Sequence, residues 1–216
     1  MINIDIQIET IQKRDIEEVA VMLTDTFASN PAYALIFRKK DKLRDGLFWL
    51  FKANLIIINQ KELVTNVAKD NKSGRIIGVY SLLPPRGIKP EFKSYLQIGL
   101  IQFIIKFGLR TLQKMLGMDS YNKQLLTKVI NTNEYYYLSM VAIKKEYRGT
   151  GIGSFMIKNC IKQLRSEERK CHVIGLTTQL PENVTFYTRL GFQKLDEGKV
   201  QYKQDHYFNY TMKLDL

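Results

Sequence analysis

Residues 137–157 read YLSMVAIKKEYRGTGIGSFMI, and the fold of the chain can be worked outward from them. With the two tyrosines before it, the run YYYLSMVAI (135–143) is apolar, aromatic and β-branched, which suits a central strand buried on both faces. Arg148-Gly149-Thr150-Gly151-Ile152-Gly153 follows, and then a helix to about Lys170 whose apolar stripe holds Ile152, Met156, Ile157, Cys160, Ile161 and Leu164. A strand, a glycine turn and a helix in succession make the architecture of a phosphate site. Glycines at a helix start let backbone N–H groups approach an anion, and the helix N-terminus adds about half a positive charge. A plain turn uses the same glycines. The turn lacks the Lys-Ser/Thr of a P-loop, and its strand comes late in the chain rather than first, which speaks against a Rossmann dinucleotide site.

Upstream, Ile2, Ile4, Ile6 and Ile8 alternate with polar residues and predict a half-buried strand. Apolar spacings of three and four predict a helix over Lys13 to Ala28, ended by Ser29-Asn30-Pro31, and a second helix spans Lys42 to Ile58. ELVTNVAKDNKSGRIIGVYSLL reads as two strands joined at the turn residues Asp70 to Gly74. Pro84 and Pro85 stop the second strand. A segment to about Asn133, with Gly99, Gly108 and Gly117 as punctuation, reads as an inserted pair of helices.

Downstream, CHVIGLTT (171–178) is a further buried strand. Pro181 opens a short helix, ENVTFYTRL, and Gly191 stands where a C-terminal glycine ends it. Two strands close the chain, the last with Phe208, Tyr210, Met212 and Leu214 on one face and Asn209, Thr211 and Lys213 on the other.

The chain has 216 residues with 45% hydrophobic content, enough for one large core. It shows no repeat or linker, so a single domain over 1–216 is expected, with the helical insertion at about 85–132. The net charge of +12 attracts polyanions, but the basic residues lie singly or in short groups such as Arg38, Lys39 and Lys40, as on a solvated face. Cys160 and Cys171 with His172 and His206 build neither a disulfide framework nor a zinc site, so no metal is expected. His172 reads as structural and Cys160 as core. The N-terminus has no basic leader or apolar h-region, and the most apolar stretch, Tyr95 to Phe107, falls short of a membrane span. A cytoplasmic protein with reduced thiols is the expectation.

YLSMVAIKKEYRGTGIGSFMI resembles the acetyl-CoA-binding segment of GNAT N-acetyltransferases, whose R/Q-x-x-G-x-G/A signature is met by Arg148, Gly151 and Gly153. ENVTFYTRLGF (182–192) is similar to the family's later helix, where an N-x-x-x-Y pattern precedes a terminal GF. Pairing of the two blocks looks most like the branch containing puromycin N-acetyltransferase. The resemblance covers nearly the whole chain outside the insertion. It implies an α+β fold of α/β/α layers: a central mixed, mostly antiparallel sheet of about seven strands, splayed at the cofactor site and flanked by helices.

The resemblance also implies the roles. Val141, Ala142 and Ile143 offer backbone groups to the pantetheine arm of acetyl-CoA, and an N–H near Val141 polarises the thioester carbonyl. Arg148, Gly149, Thr150, Gly151, Ile152, Gly153 and Ser154 grip the pyrophosphate through backbone amides rather than through the arginine side chain. Asn183 could hydrogen-bond the cofactor, and Tyr187 aligns with the tyrosine that serves as general acid; a phenol of pKa about 10 suits protonation of a thiolate. Tyr187 could instead only pack. Glu134, read as standing at the mouth of the central strand, is a candidate for deprotonating the amine directly or through water, against the reading of a solvated carboxylate, so the base stays unassigned.

The function expected is acetyl transfer from acetyl-CoA to a primary amine, by direct attack in a ternary complex, with a small-molecule acceptor, no specific nucleic acid and no transmembrane segment; a homodimer stays open. The competing readings are a catalytically silent acyl-CoA-binding module, a basic nucleic-acid-binding protein, and attachment to a membrane through residues 92–116.

Overall fold

The computed structural model describes residues 5–37, 39–60, 62–166 and 170–216, apart from the side chains of Lys40, Phe92 and Tyr202. Ile2 and Ile4 of the first expected strand, Arg38 of the basic group, and residues 167–169 of the helix expected to reach Lys170 lie outside the described residues.

Seven strands form one sheet: β1 (Ile6–Thr10), β2 (Thr65–Asp70), β3 (Ile76–Leu83), β4 (Tyr136–Ile143), β5 (Val173–Thr178), β6 (Gln193–Tyr202) and β7 (Asp205–Asp215). Their order is β1-β2-β3-β4-β5-β7-β6. Every neighbouring pair is antiparallel except β4 and β5. The mixed, mostly antiparallel seven-stranded sheet flanked by helices is the fold class the sequence implied. The β2–β3 hairpin turns at Asp70, whose carbonyl accepts from Gly74 N (2.7 Å) while its carboxylate accepts from Lys72 N and Ser73 Oγ. Gly74 supplies the positive φ of 68° that this turn requires.

Helices cover both faces. On one face lie α1 (Ile16–Phe27), α2 (Pro31–Ile36), α3 (Lys40–Ile58), α4 (Phe92–Gln97), α5 (Leu100–Phe107) and α6 (Leu109–Ile130). The other face carries α7 (Ile152–Ser166) and α8 (Pro181–Thr188). Two apolar cores result. The first joins Leu23, Phe51, Val79, Phe103 and Met118, and the second joins Ile77, Met156, Ile174, Phe192 and Met212. The stripe expected on α7 is buried in full, and α7 crosses the sheet so closely at Gly78 that a Cβ there would stand 2.7 Å from Ile143 Cδ1 and Met156 Sδ.

The first helix ends before Ser29-Asn30-Pro31 as expected, and a short helix not read from the sequence follows: Asn30 caps α2 through its Oδ1, which accepts from Ala32 N at 3.0 Å, and Pro31 occupies the first helical position. Two local readings are corrected. Residues 92–130 form three helices rather than two, because Gly99 (φ 67°) and Gly108 (φ 87°) each break the backbone. On β7, Met212 and Leu214 are buried as expected, but Phe208 is exposed and Asn209 and Thr211 are buried, since both faces of this strand are covered.

Helix α6 packs into the body of the protein. Its Met115, Met118 and Leu126 are buried. Its Asn122 Oδ1 accepts from the Tyr207 hydroxyl of β7, and its Lys114 pairs with Asp205 at the start of the same strand.

Candidate functional site

Strands β4 and β5 share only two rungs, Tyr136 with Ile174 and Tyr137 with Gly175. After them β5 follows β7 as far as the pair Thr178–Tyr210, whereas β4 follows β3 as far as Gly78–Ile143. The edge of β4 that faces β5 therefore has no ladder partner from Leu138 to Ile143. The β3–β4 register slips within this stretch: Ser81 opposes Ser139, yet Val79 opposes Ala142. The extra residue forms a bulge, and Met140 in it takes a φ of 51°, a left-handed conformation that methionine rarely adopts. A bulge of this kind re-aims the backbone next to the gap, and that strained turn is what the sequence did not disclose.

The glycine turn follows β4 after one 3-10 turn, Lys145–Tyr147. Gly149 (φ 77°) and Gly151 (φ 93°) have conformations that only glycine adopts without strain. Every backbone N–H from Gly149 to Ser154 lacks a protein acceptor among the described residues; the ladder of α7 starts with Phe155 N bonding to Gly151 O at 3.0 Å. A helix start leaves some such groups by geometry, and the turn lengthens the run. Arg148 does not point its guanidinium into this nest: Nε donates to Ile143 O (3.1 Å) and Nη2 to Thr26 Oγ1 (3.4 Å), tying the turn to the end of β4 and to α1. The Thr150 hydroxyl donates back to Tyr147 O at 2.7 Å. Gly153 serves packing instead, since a Cβ there would stand 3.4 Å from the Phe186 ring and 3.5 Å from Ile143.

Across the gap, α8 brings Tyr187 into the second core, edge-on to Phe186 and Phe192 with ring centroids 5.0 and 5.5 Å apart. Burial pushes its phenol above the ordinary value, and the neighbouring Tyr137 adds to the shift. Asn183 is half-buried, and its Nδ2 donates to Thr178 Oγ1 at 2.8 Å, which leaves the amide oxygen for another partner.

Glu134 is not brought to this place. It precedes β4, at the end remote from the glycine turn, roughly 20 Å from Val141 at about 3.3 Å per strand residue. There its carboxylate accepts from Arg86 Nε at 2.9 Å in an exposed pair. The pair with Arg86 occupies the Glu134 carboxylate at the start of β4, and the general base stays unassigned.

A set of tyrosines that no motif singles out stands where the strands part. Tyr137 shares a 3.5 Å hydrogen bond with Thr177, on opposite sides of the gap. Burial, set against that bond, raises its phenol, with Asp119 of α6 and Tyr135 pushing the same way. Tyr33 of α2 is raised by burial first, then by Tyr137 and Asp119. Tyr207 is pushed up to about 12 by burial, against the lowering effect of its hydrogen bond to Asn122. Beside them a polar chain crosses from α2 to β7: Asn30 Nδ2 donates to Gln179 Oε1 (2.9 Å), and Gln179 Nε2 donates to Asn209 Oδ1 (2.8 Å). The repeated YYY of the sequence hides which tyrosine faces the gap; only the β4–β5 register picks out Tyr137.

Residues 119–194, from the middle of α6 through β4, the glycine turn, α7, β5 and α8, match the family model described as an acetyltransferase (GNAT) domain. The chain has the GNAT fold. A Corynebacterium glutamicum protein described as histone acetyltransferase HPA2 and related acetyltransferase superposes with a TM-score of 0.60 at 20% identity, covering 98% of this chain and 97% of that one. Arylalkylamine N-acetyltransferase 2 of Aedes aegypti superposes at 0.59 with 17% identity, covering 98% and 99%. The NatC complex bound to Gag peptide and CoA gives 0.52 at 18% identity, covering 98% and 99%. The likeness is to GNAT acetyltransferases at large and does not single out the puromycin N-acetyltransferase branch. By sequence, a Dictyostelium discoideum protein named as a probable serine/threonine-protein kinase is 19% identical over 191 residues, which are 84% of this chain. The chain spans about a fifth (20%) of that protein's length.

Among the described residues, no helix is long and apolar enough to cross a membrane and no group of His, Cys, Asp or Glu could hold a metal ion. Cys160 and Cys171 are buried and form no disulfide, with Cys160 in the α7 stripe as expected.

Proposed function

We propose that this protein is an acetyl-CoA-dependent N-acetyltransferase that acetylates a small primary amine by direct attack in a ternary complex. The observation that carries the reading is the succession of two unsatisfied surfaces: the partnerless edge of β4 is followed, after the 3-10 turn Lys145–Tyr147, by the run of N–H groups without a protein acceptor from Gly149 to Ser154. An extended amide-bearing arm can complete the first as a strand would, and a pyrophosphate can complete the second.

Acetyl-CoA, when bound, supplies an activated acetyl group. The chain's own residues then divide the work. Gly149 to Ser154 hold the diphosphate by their N–H groups, Val141 to Ile143 hold the arm, and an N–H at the bulge stabilises the charge that develops on the carbonyl oxygen. Tyr187 holds a proton for the departing thiolate sulfur when the carbon–sulfur bond breaks. Tyr33 and Tyr137 form the acceptor side, where their hydroxyls can orient an amine by hydrogen bonds. The Aedes neighbour's name, an arylalkylamine N-acetyltransferase, supports an acceptor of small size.

The test is in two steps. Acetyl-CoA at 100 times its dissociation constant should raise the unfolding free energy by about 2.7 kcal/mol. A panel of primary amines should then release CoA thiol. Stabilisation without release for any amine would point to a silent acyl-CoA-binding module, and no stabilisation would remove the reading.

A further inference from the structure

Large apolar side chains stand in water along one stretch of the surface. Of the eleven large hydrophobic residues exposed among those described, six lie between positions 95 and 116. Leu96 is 66% exposed on α4, Ile101 63% and Ile105 80% on α5, and Leu109 53% and Leu116 58% on α6. The three helices follow one another through Gly99 and Gly108, each in contact with the next. The fold does not need these side chains. Helix α5 meets the first core with Phe103, Ile104 and Phe107, and Ile101 and Ile105 lie one turn apart on its outer side. Singly exposed leucines are ordinary, whereas a concentration of aliphatic residues on consecutive helices marks a docking surface.

Between the flanking acids Glu91 and Asp119 the stretch that carries them is basic. From Phe92 to Met118 the chain carries Lys93, Lys106, Arg110 and Lys114 and no aspartate or glutamate. Lys106 is neutralised by Asp45 of α3 at 2.6 Å, and Lys114 by Asp205. Lys93 and Arg110 have no ion pair among the described residues.

We propose that the α4–α5–α6 face docks on the surface of an anionic phospholipid bilayer, with the exposed aliphatic side chains among the acyl-chain roots and the unpaired cations at the lipid phosphates. Charge complementarity selects this occupant. A second copy related by a two-fold axis would bring the same basic face against itself, whereas an anionic surface complements every unpaired cation. The helices lie on the surface and do not cross it, in keeping with their lengths.

The whole chain is incubated with sedimenting vesicles of phosphatidylcholine alone, or with about 30% phosphatidylserine, a content that gives a negative surface potential. Binding is expected only to the second, declining as salt is raised. Lys93→Ser and Arg110→Ser should each weaken it about fivefold. The double variant Ile101→Ser, Ile105→Ser should weaken it about tenfold or more. Because both isoleucines are exposed, this variant should melt with wild-type Tm and keep wild-type transfer activity in free solution. The proposal is overturned if the protein stays in the supernatant with both vesicle types, or if the double variant binds as well as wild type. It is also overturned if wild type sediments as a dimer without lipid while the double variant is a monomer, for then a second copy covers the face.

Discussion

Tyr137 lies opposite Gly175 in the last rung of the β4–β5 ladder, and beyond that rung the two strands share no pair. The place is fixed from outside as well: a Cβ on Gly175 would meet Ile130 Cδ1 at 2.4 Å and the Tyr135 ring at 3.2 Å, so the end of α6 seats directly on β5. The Tyr137 hydroxyl is thereby held beside the gap, bonded to Thr177. Tyr137→Phe keeps the ring and removes that hydroxyl. In the reading proposed above it should lower kcat/KM for the acceptor about tenfold, equivalent to about one hydrogen bond, with CoA affinity within about twofold of wild type. Unchanged steady-state kinetics would mean that Tyr137 only packs.

The two kinds of glycine in the turn should respond oppositely to alanine. At Gly151 there is open space around the would-be Cβ, but φ is 93°, so Gly151→Ala is strained by about 1–2 kcal/mol and turns the N–H groups away from their common focus. At Gly153 the backbone is helical and the nearest atoms stand at 3.4 Å, an ordinary contact. Gly153→Ala should therefore keep CoA affinity within a few-fold while Gly151→Ala loses most of it. Isothermal titration of both variants decides; equal affinities would separate the turn from the cofactor.

The same contrast explains what could be read in the sequence. The α7 stripe, the β2–β3 hairpin and the glycine turn were legible because a period of 3.6, a β-branched pair of runs and a positive φ each leave a mark on residue choice. Met140 leaves none, since nothing in a methionine announces a left-handed φ, and the bulge that opens the gap is set by the competition of β3 and β5 for β4. Glu134 was left open between a base and a solvated carboxylate because residue order shows that it precedes the central strand but not that Arg86, 48 residues earlier, comes to pair with it. Asn209 and Thr211 look solvent-facing by alternation and are buried because α2 and α6 cover that side, where Asn209 finds Gln179.

That buried amide chain should be cooperative. Asn209→Ala leaves Gln179 Nε2 without its acceptor near the gap, and Asn30→Ala removes both the α2 cap and the other bond to Gln179. Each single change should cost about 1–3 kcal/mol in urea unfolding, typical of a stranded buried polar group or lost cap. The double variant should cost less than the sum, because Gln179 is released once either partner has gone. Strict additivity would show that the two bonds act independently.

Tyr187 decides the chemistry of the proposed reaction. Its phenol is raised by burial first and by Tyr137 second, so the neutral form is favoured and the hydroxyl remains a proton donor across the range in which the protein is assayed. The sign for stability follows. Below the unfolded value of about 10 both states hold the proton and Tyr187 adds no pH dependence; above it the unfolded chain releases the proton first, so stability falls as pH rises. Between about pH 6 and 9, where no phenol of ordinary or raised pKa ionises, the rate profile should carry no descending limb from Tyr187. Tyr187→Phe preserves the edge-on contacts with Phe186 and Phe192 and removes only the donor. Tm and CoA affinity should stay near wild type, while kcat falls about 10²- to 10⁴-fold with little change in KM, as for loss of a group that acts in the transition state. The shape of the pH profile should be the same in both proteins. A wild-type descending limb below pH 9 that vanishes in the variant would contradict a raised phenol, and a variant within about twofold of wild-type kcat, with chemistry limiting the rate, would leave the thiolate to take its proton from water.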